Sequence, residues 1–266
     1  MADEDIGGRI RTERSGAAGV VVIDNPSRHN AVSKAMWLAL PAAIAELAGD
    51  PAVRAIVLRG AGDGAFVSGA DISEFAEVRR NAENSRAYEA ANEAAFAAIR
   101  AAPKPTIAMI RRFCIGGGMG LAAACDIRIA ARDAVFAVPA ARLGLAYPPE
   151  AVADFVRLIG AARTKDLIFT ARRVDAAEAA AIGFVDRLVE PADLETATAD
   201  YVAAVAANAP LTQAAIKAAV AAIVALPGTA DWTAAHTAAE RCFDSADYAE
   251  GRAAFLAKRA PVFSGD

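Results

Sequence analysis

Few of the residues on which metal-dependent and nucleophile-based enzymes rely are present: the 266 residues include two histidines, His29 and His236, and three cysteines, Cys114, Cys125 and Cys242. Two imidazoles leave few ways to assemble a catalytic triad or a His-based metal site. The cysteines form no C-x-x-C pair and are odd in number, so reduced thiols are expected instead of disulfides or zinc ligands. No metal and no cofactor is expected. An excess of basic charge is also missing, since 28 Lys and Arg face 32 Asp and Glu for a net charge of -4. That excludes the positive field on which nucleic-acid binding depends. Apolar runs such as Gly19–Ile23 and Leu121–Cys125 stop at charges, well short of the ~20 residues of a membrane span. The opening Met1–Arg14 mixes acidic and basic residues and has no apolar signal core. The expectation is a soluble, cytoplasmic protein with neither nucleic acid nor membrane as partner.

What is present is alanine-rich, alternating chain long enough for one large domain and an appendage. Short β-like runs at Gly19–Ile23 and Ala55–Arg59 flank a helical stretch, Ser33–Ala48, whose apolar Met36, Leu40, Ile44 and Leu47 form one stripe behind a Ser33 N-cap. Gly60–Gly69 reads as a loop, after which Asp71 caps a short helix through Glu77. A helix over Ala82–Ala101 ends at Pro103 and Pro105, and strands follow at Thr106–Ile110, Ile127–Ala131 and Ala134–Val138. Gly116–Gly118 is a permissive turn leading into a helical segment to Cys125.

Beyond Pro149 helices dominate, at Ala151–Ile159, Ala161–Thr170, Ala176–Ile182, Leu194–Asn208, Thr212–Leu226 and Thr229–Asp244, with Phe184–Val189 the only late strand expected. The fold class is α/β. A core over residues 1–200 and a helical region over 201–266 are expected, with no flexible tether between them.

Four segments, in order, resemble the enoyl-CoA hydratase/isomerase (crotonase) family: Asn25-Pro26-Ser27-Arg28-His29-Asn30-Ala31; Ala65-Phe66-Val67-Ser68-Gly69-Ala70-Asp71-Ile72; Cys114 through Ala122 with Cys125-Asp126; and Glu250 through Arg259. The resemblance spans nearly the whole chain and implies a spiral of ββα units. It also implies C-terminal helices that build a homotrimer, commonly paired into a hexamer, and an acyl-CoA or enoyl-CoA thioester as ligand, CoA being part of the substrate, as in fatty acid metabolism.

The same resemblance makes the N–H groups of Ala70 and Gly117 the oxyanion donors. Negative charge developing on a thioester oxygen is well served by two fixed backbone donors, which neither titrate nor carry a side chain to desolvate. Glycine permits close approach, and a following helix adds the positive end of its dipole. Without the resemblance, Gly69–Asp71 reads rather as an ordinary turn with an aspartate cap, and Gly116–Gly118 as close packing of loop on helix. By the same carry-over Arg28 and Asn30 lie beside CoA, Arg28 offering bidentate donors to a phosphate, while Asp71, Ile72 and Ser73 line the substrate. Phe255 and Lys258, three apart on one helical face, reach a neighbouring subunit's CoA. Ser27 and Ser73 stand where relatives carry phosphate-binding lysines.

The departures fall where a hydratase of this family keeps its two proton-handling glutamates: Gly120 and Ala140 occupy those positions, and Pro148 a third acidic position. None of the three exchanges a proton. The nearest acids are Glu150 and Asp154, and Glu150 is either a first-turn helix charge or a relocated acid/base. The expected function is enolate stabilisation on an acyl-CoA as a non-standard hydratase or isomerase. The alternatives are a non-catalytic acyl-CoA-binding member or a crotonase-type hydrolase or decarboxylase.

Overall fold

In the computed structural model, which describes residues 8–266, β1 (Arg9–Ser15) and β2 (Ala18–Asp24) pair antiparallel, Arg9 opposite Asp24. The first seven residues of Met1–Arg14 lie outside the described residues. β1 was not expected from sequence: it is an edge strand, and its RIRTERS run carries the charge with which exposed edges are kept from pairing further.

α1 (Lys34–Gly49) begins where the Ser33 Oγ accepts the Met36 N–H at 3.3 Å and buries the expected stripe Met36, Leu40, Ile44 and Leu47. β3 (Ala55–Gly60) returns parallel to β2. Where one short helix through Glu77 was expected, the chain makes a tight turn at Ile72–Glu74 and the short α2 (Phe75–Val78), and the expected α3 (Ala82–Ala101) follows; the Asp71 side chain accepts the Ser73 N–H and caps the turn.

The pattern then repeats. β4 (Thr106–Ile110), β5 (Phe113–Ile115) and α4 (Gly117–Ala124) make one ββα turn, and β6 (Ile127–Ala131), β7 (Val135–Ala137) and α5 (Ala140–Leu143) make the next. α6 (Pro149–Thr170) is broken at Gly160, whose φ of 77° and ψ of 161° divide it into the two helices expected from sequence. β8 (Val174–Asp175), α7 (Ala176–Ala181) and β9 (Arg187–Val189) follow. The last four helices are α8 (Leu194–Ala206), α9 (Pro210–Ile223), α10 (Trp232–Phe243) and α11 (Ala246–Leu256).

Strands β1-β2-β3-β4-β6-β9 form a large sheet, parallel from β2 onward, and β5-β7-β8 form a smaller one. Single bridges from Val67 to Cys114 and from Val32 to Ala70 continue the small sheet into the earlier turns. The spiral is therefore visible even where the second strand of a turn has shrunk to one residue. Between the layers pack Trp37, Phe66, Phe96, Phe136, Phe155 and Phe184. α8 covers the outer face of the large sheet through Leu194 and Val202, so a division at residue 200 falls inside a helix of the core.

One sequence expectation is corrected at the far end. Lys258 does not share a helical face with Phe255, because α11 has stopped at Leu256 and Lys258 takes a left-handed φ of 52°. Lys258 N–H donates to Phe255 O at 3.2 Å and Arg259 N–H to Ala254 O at 3.1 Å, a paired closure of the helix end usually made with glycine.

Arg128, 2% exposed, ties the spiral together. Its guanidinium donates to the carbonyls of Phe184 at 2.7 Å, Cys125 at 2.8 Å and Asp126 at 3.3 Å, and pairs with Asp186 at 2.5 Å. Removing it leaves several buried acceptors without a donor. Arg128→Ala is expected to lower unfolding free energy by about 3–5 kcal/mol, read as a reduced urea midpoint.

Candidate active site

Two glycine turns bring the chain to one place from adjacent layers. Gly69 has φ 117° and Gly116 φ 53°, conformations that L side chains rarely adopt. At the first turn Val32 N–H donates to Gly69 O at 2.8 Å and Asp71 N–H to Val32 O at 2.9 Å. Ala70 lies between, and among the described residues its N–H finds no acceptor.

At the second turn Ile115 N–H donates to Val67 O at 2.9 Å and Gly116 N–H to Ala137 O at 2.8 Å. Gly117 then opens α4, where a helix leaves its first N–H groups unpaired, and this one too has no acceptor among the described residues. The two loops touch: a methyl placed on Gly117 would stand 3.8 Å from the Ala70 nitrogen and 2.8 Å from the Trp37 ring.

Both residues border a cavity of about 120 Å³ with Ile72, Phe75, Phe96, Leu143 and Leu145 among its apolar walls. Its polar lining includes Arg79, Glu89, Asn92 and Tyr147. Such a site, with two unpaired backbone donors at a largely apolar hollow, can hold a carbonyl oxygen and strengthen its hold as that oxygen becomes negative.

The other residues named from sequence fall into two groups. Ile72 lines the cavity and is 63% exposed. Arg28 donates to Asp71 Oδ1 at 3.3 Å and Ser73 Oγ at 2.6 Å, so the three form one cluster at the loop. The Asn30 side chain is buried and fully occupied: Oδ1 accepts from Asn25 N–H at 3.0 Å, and Nδ2 donates to Ala61 O at 3.2 Å and Ala65 O at 2.7 Å. Its amide fixes the loop ends instead of facing the cavity. Phe255 and Lys258 sit far along the chain at an exposed surface, away from the cavity walls.

The positions without acids are filled. A side chain on Gly120 would meet the Phe96 ring at 2.5 Å and the Tyr147 hydroxyl at 3.0 Å, and that hydroxyl donates to Gly116 O at 2.9 Å. Ala140 is buried in the cavity wall beside Pro139, and Pro148 borders it as well. Removal of the Tyr147 hydroxyl from water pushes its pKa well above the usual tyrosine value. Glu150 is exposed in the first turn of α6 and is not among the residues bordering the cavity. Asp154 is buried, and burial raises its pKa against the opposing pull of Arg100 at 2.7 Å and Arg157 at 2.7 Å, an ion-paired cluster outside the cavity. Burial likewise raises Cys114 and pushes Cys125 up to about 12, which suits inert thiols.

Glu89, Asn92 and Tyr147 belong to no motif. The only sequence signal for the first two is helical spacing: Glu89, Asn92 and Phe96 recur at three and four residues, so they share one face of α3. Neither acidic nor amide residues are expected on a face that turns inward.

The model of the enoyl-CoA hydratase/isomerase family matches residues 13–266. The chain is 33% identical to a short-chain-enoyl-CoA hydratase of Clostridium acetobutylicum, over 93% of this chain and 94% of that one, and 32% identical to a crotonyl-CoA hydratase of Syntrophomonas wolfei, over 96% and 97%. The crystal structure of an enoyl-CoA hydratase/carnithine racemase from Magnetospirillum magneticum superposes with a TM-score of 0.91 at 37% identity, covering 97% of this chain and 96% of that one. With its ββα spiral, its two glycine turns and a match running almost end to end, the chain belongs to the enoyl-CoA hydratase/isomerase family.

Proposed function

We propose that the protein seats the thioester carbonyl of an acyl-CoA between the N–H groups of Ala70 and Gly117 and stabilises its enolate, and that it rearranges protons on that acyl group without two-glutamate hydration. The carrying observation is the pair of unpaired N–H groups bordering one largely apolar cavity. Enolate formation places charge on oxygen, and fixed donors favour that charge over the neutral ground state.

The absence of the usual acids supports isomerisation over hydration. Hydration asks one group to activate water and another to deliver the α-proton, and the Gly120 and Ala140 positions offer neither. Phe96 and Tyr147 already fill the space beside Gly120. Isomerisation needs only one carboxylate, which takes a proton at one carbon and returns it at another.

Assembly belongs to the same reading. Phe243, Phe255, Leu256 and Val262 are between 68% and 84% exposed, an apolar surface on the C-terminal helices and tail that neighbouring copies of the chain would cover. The proposed state is a homotrimer, or a hexamer of paired trimers, in which Phe255 and Lys258 approach a neighbour's CoA.

Ala70→Pro and Gly117→Pro each delete one donor. Acyl-CoA affinity is expected to weaken and any turnover to fall by about 10²–10³-fold. Because a Cβ at Gly117 presses on Trp37, the two variants are compared, with thermal unfolding as the check on fold. Unchanged binding and turnover in both would remove the oxyanion reading.

Crotonyl-CoA hydration by the wild type is expected to run at least ~10²-fold below the ~10²–10³ per second of efficient enzymes. A spectrophotometric assay beside a 3-enoyl-CoA isomerase assay measures it. Binding without turnover in either assay identifies a non-catalytic acyl-CoA-binding member. Sedimentation at micromolar concentration is expected to give a trimer or hexamer, and a stable monomer would exclude the assembly.

A further inference from the structure

We infer that Glu89 is the catalytic carboxylate of this site, removing and returning the α-proton of the acyl group held by Ala70 and Gly117. The inference rests on the acyl-CoA reading above and adds to it the group that moves the proton.

The geometry is that of one small cavity with both parts of the chemistry on its walls. Ala70 and Gly117 border it from two loops, and Glu89 borders it from α3. The cavity that they share is about 120 Å³. A thioester seated on the two donors would place its first carbons in the cavity that Glu89 also lines. Of the acids already considered, Glu150 does not border the cavity and Asp154 is ion-paired outside it.

Glu89 is also held as a base should be. Arg79 donates to its Oε1 at 2.5 Å, and the guanidinium is itself fixed over the rings of Phe75, at 4.7 Å, and Tyr88, at 4.3 Å. Among the described residues, Oε2 accepts no hydrogen bond. One oxygen thus anchors the carboxylate while the other stays available for proton transfer.

Asn92 gives an independent sign of a ligand. It lies one turn beyond Glu89, is 8% exposed, borders the cavity, and its buried Oδ1 has no partner. An unsatisfied buried amide costs about 1–3 kcal/mol, so such a group in an apolar wall marks a place that a polar ligand atom or an ordered water completes.

The step balances within the site. A Glu89 carboxylate oxygen bonds to the α-hydrogen, and the C–H pair becomes the C=C bond of the enolate. The carbonyl π pair moves onto the thioester oxygen, which accepts from the Ala70 and Gly117 N–H groups. Return of the proton from the neutral Glu89 to the α-carbon reverses the exchange, and return to the γ-carbon of a dienolate formed from an enoyl-CoA completes an isomerisation.

The test is deuterium uptake at the α-carbon of butyryl-CoA in D2O, followed by mass spectrometry, with butyryl-CoA affinity measured in parallel. The wild type is expected to bind and to exchange. Glu89→Gln, which leaves Arg79 an acceptor, is expected to bind within about twofold and to exchange about 10²–10⁴-fold more slowly. Glu89→Asp retains the charge but withdraws it by one methylene, and is expected to lose up to ~10²-fold, so the inference stays testable if the glutamine variant misfolds. Wild-type exchange rates in either folded variant, or wild type that binds butyryl-CoA without exchanging, would overturn the assignment of Glu89. Absence of butyryl-CoA binding by the wild type would instead overturn the acyl-CoA reading itself, and this inference with it.

Discussion

Everything at the site hangs on backbone pairing between successive turns of the spiral. Asp71 to Val32, Ile115 to Val67 and Gly116 to Ala137 are each a main-chain hydrogen bond of 2.8–2.9 Å, and together they fix the loops on either side of Ala70 and Gly117. Between these bonds the N–H groups of Ala70 and Gly117 are left without an acceptor among the described residues. Regular structure on each side holds the two loops in place, so that their unpaired N–H groups can be tolerated.

Aromatic packing then decides which chemistry the scaffold admits. Trp37 hydrogen-bonds through its Nε1 to the Tyr88 hydroxyl at 3.0 Å and packs edge-on against Phe96, locking α1 to α3. That lock holds α3 close enough for Phe96 to occupy the space beside Gly120. The same helix carries Glu89 and Asn92 to the cavity. Loss of an acid on α4 and presence of one on α3 are thus two faces of the same packing arrangement.

Much of this was legible in the sequence, for identifiable reasons. The stripe Met36, Leu40, Ile44 and Leu47 found its helix because burial on one face imposes helical spacing. The end of α3 followed from the prolines after it, Pro103 and Pro105. β1 was hidden because a charged edge strand has no buried face to betray it, and β5 and β8 because three and two residues carry no periodicity. The loops of Ala70 and Gly117 were found by resemblance to a family, while the ligand-facing role of α3 was not. Nothing in a linear pattern says which side of an amphipathic helix will meet a cavity built by four other segments. Lys258 was misplaced for a related reason: spacing extrapolates a helix past its end, and a left-handed lysine closes it where glycine would have announced the stop.

Because both proposed oxyanion donors are main-chain groups, the two positions differ in how freely they can drift. At Ala70 the N–H is indifferent to the side chain attached, provided that it is not proline, so substitution there can reshape the cavity wall and leave that N–H in place. At Gly117 the Trp37 ring stands 2.8 Å from where the first side-chain atom would go. Diversification of ligand preference in this scaffold therefore has an open route through one loop and a closed one through the other, and the tryptophan that closes it also braces the core.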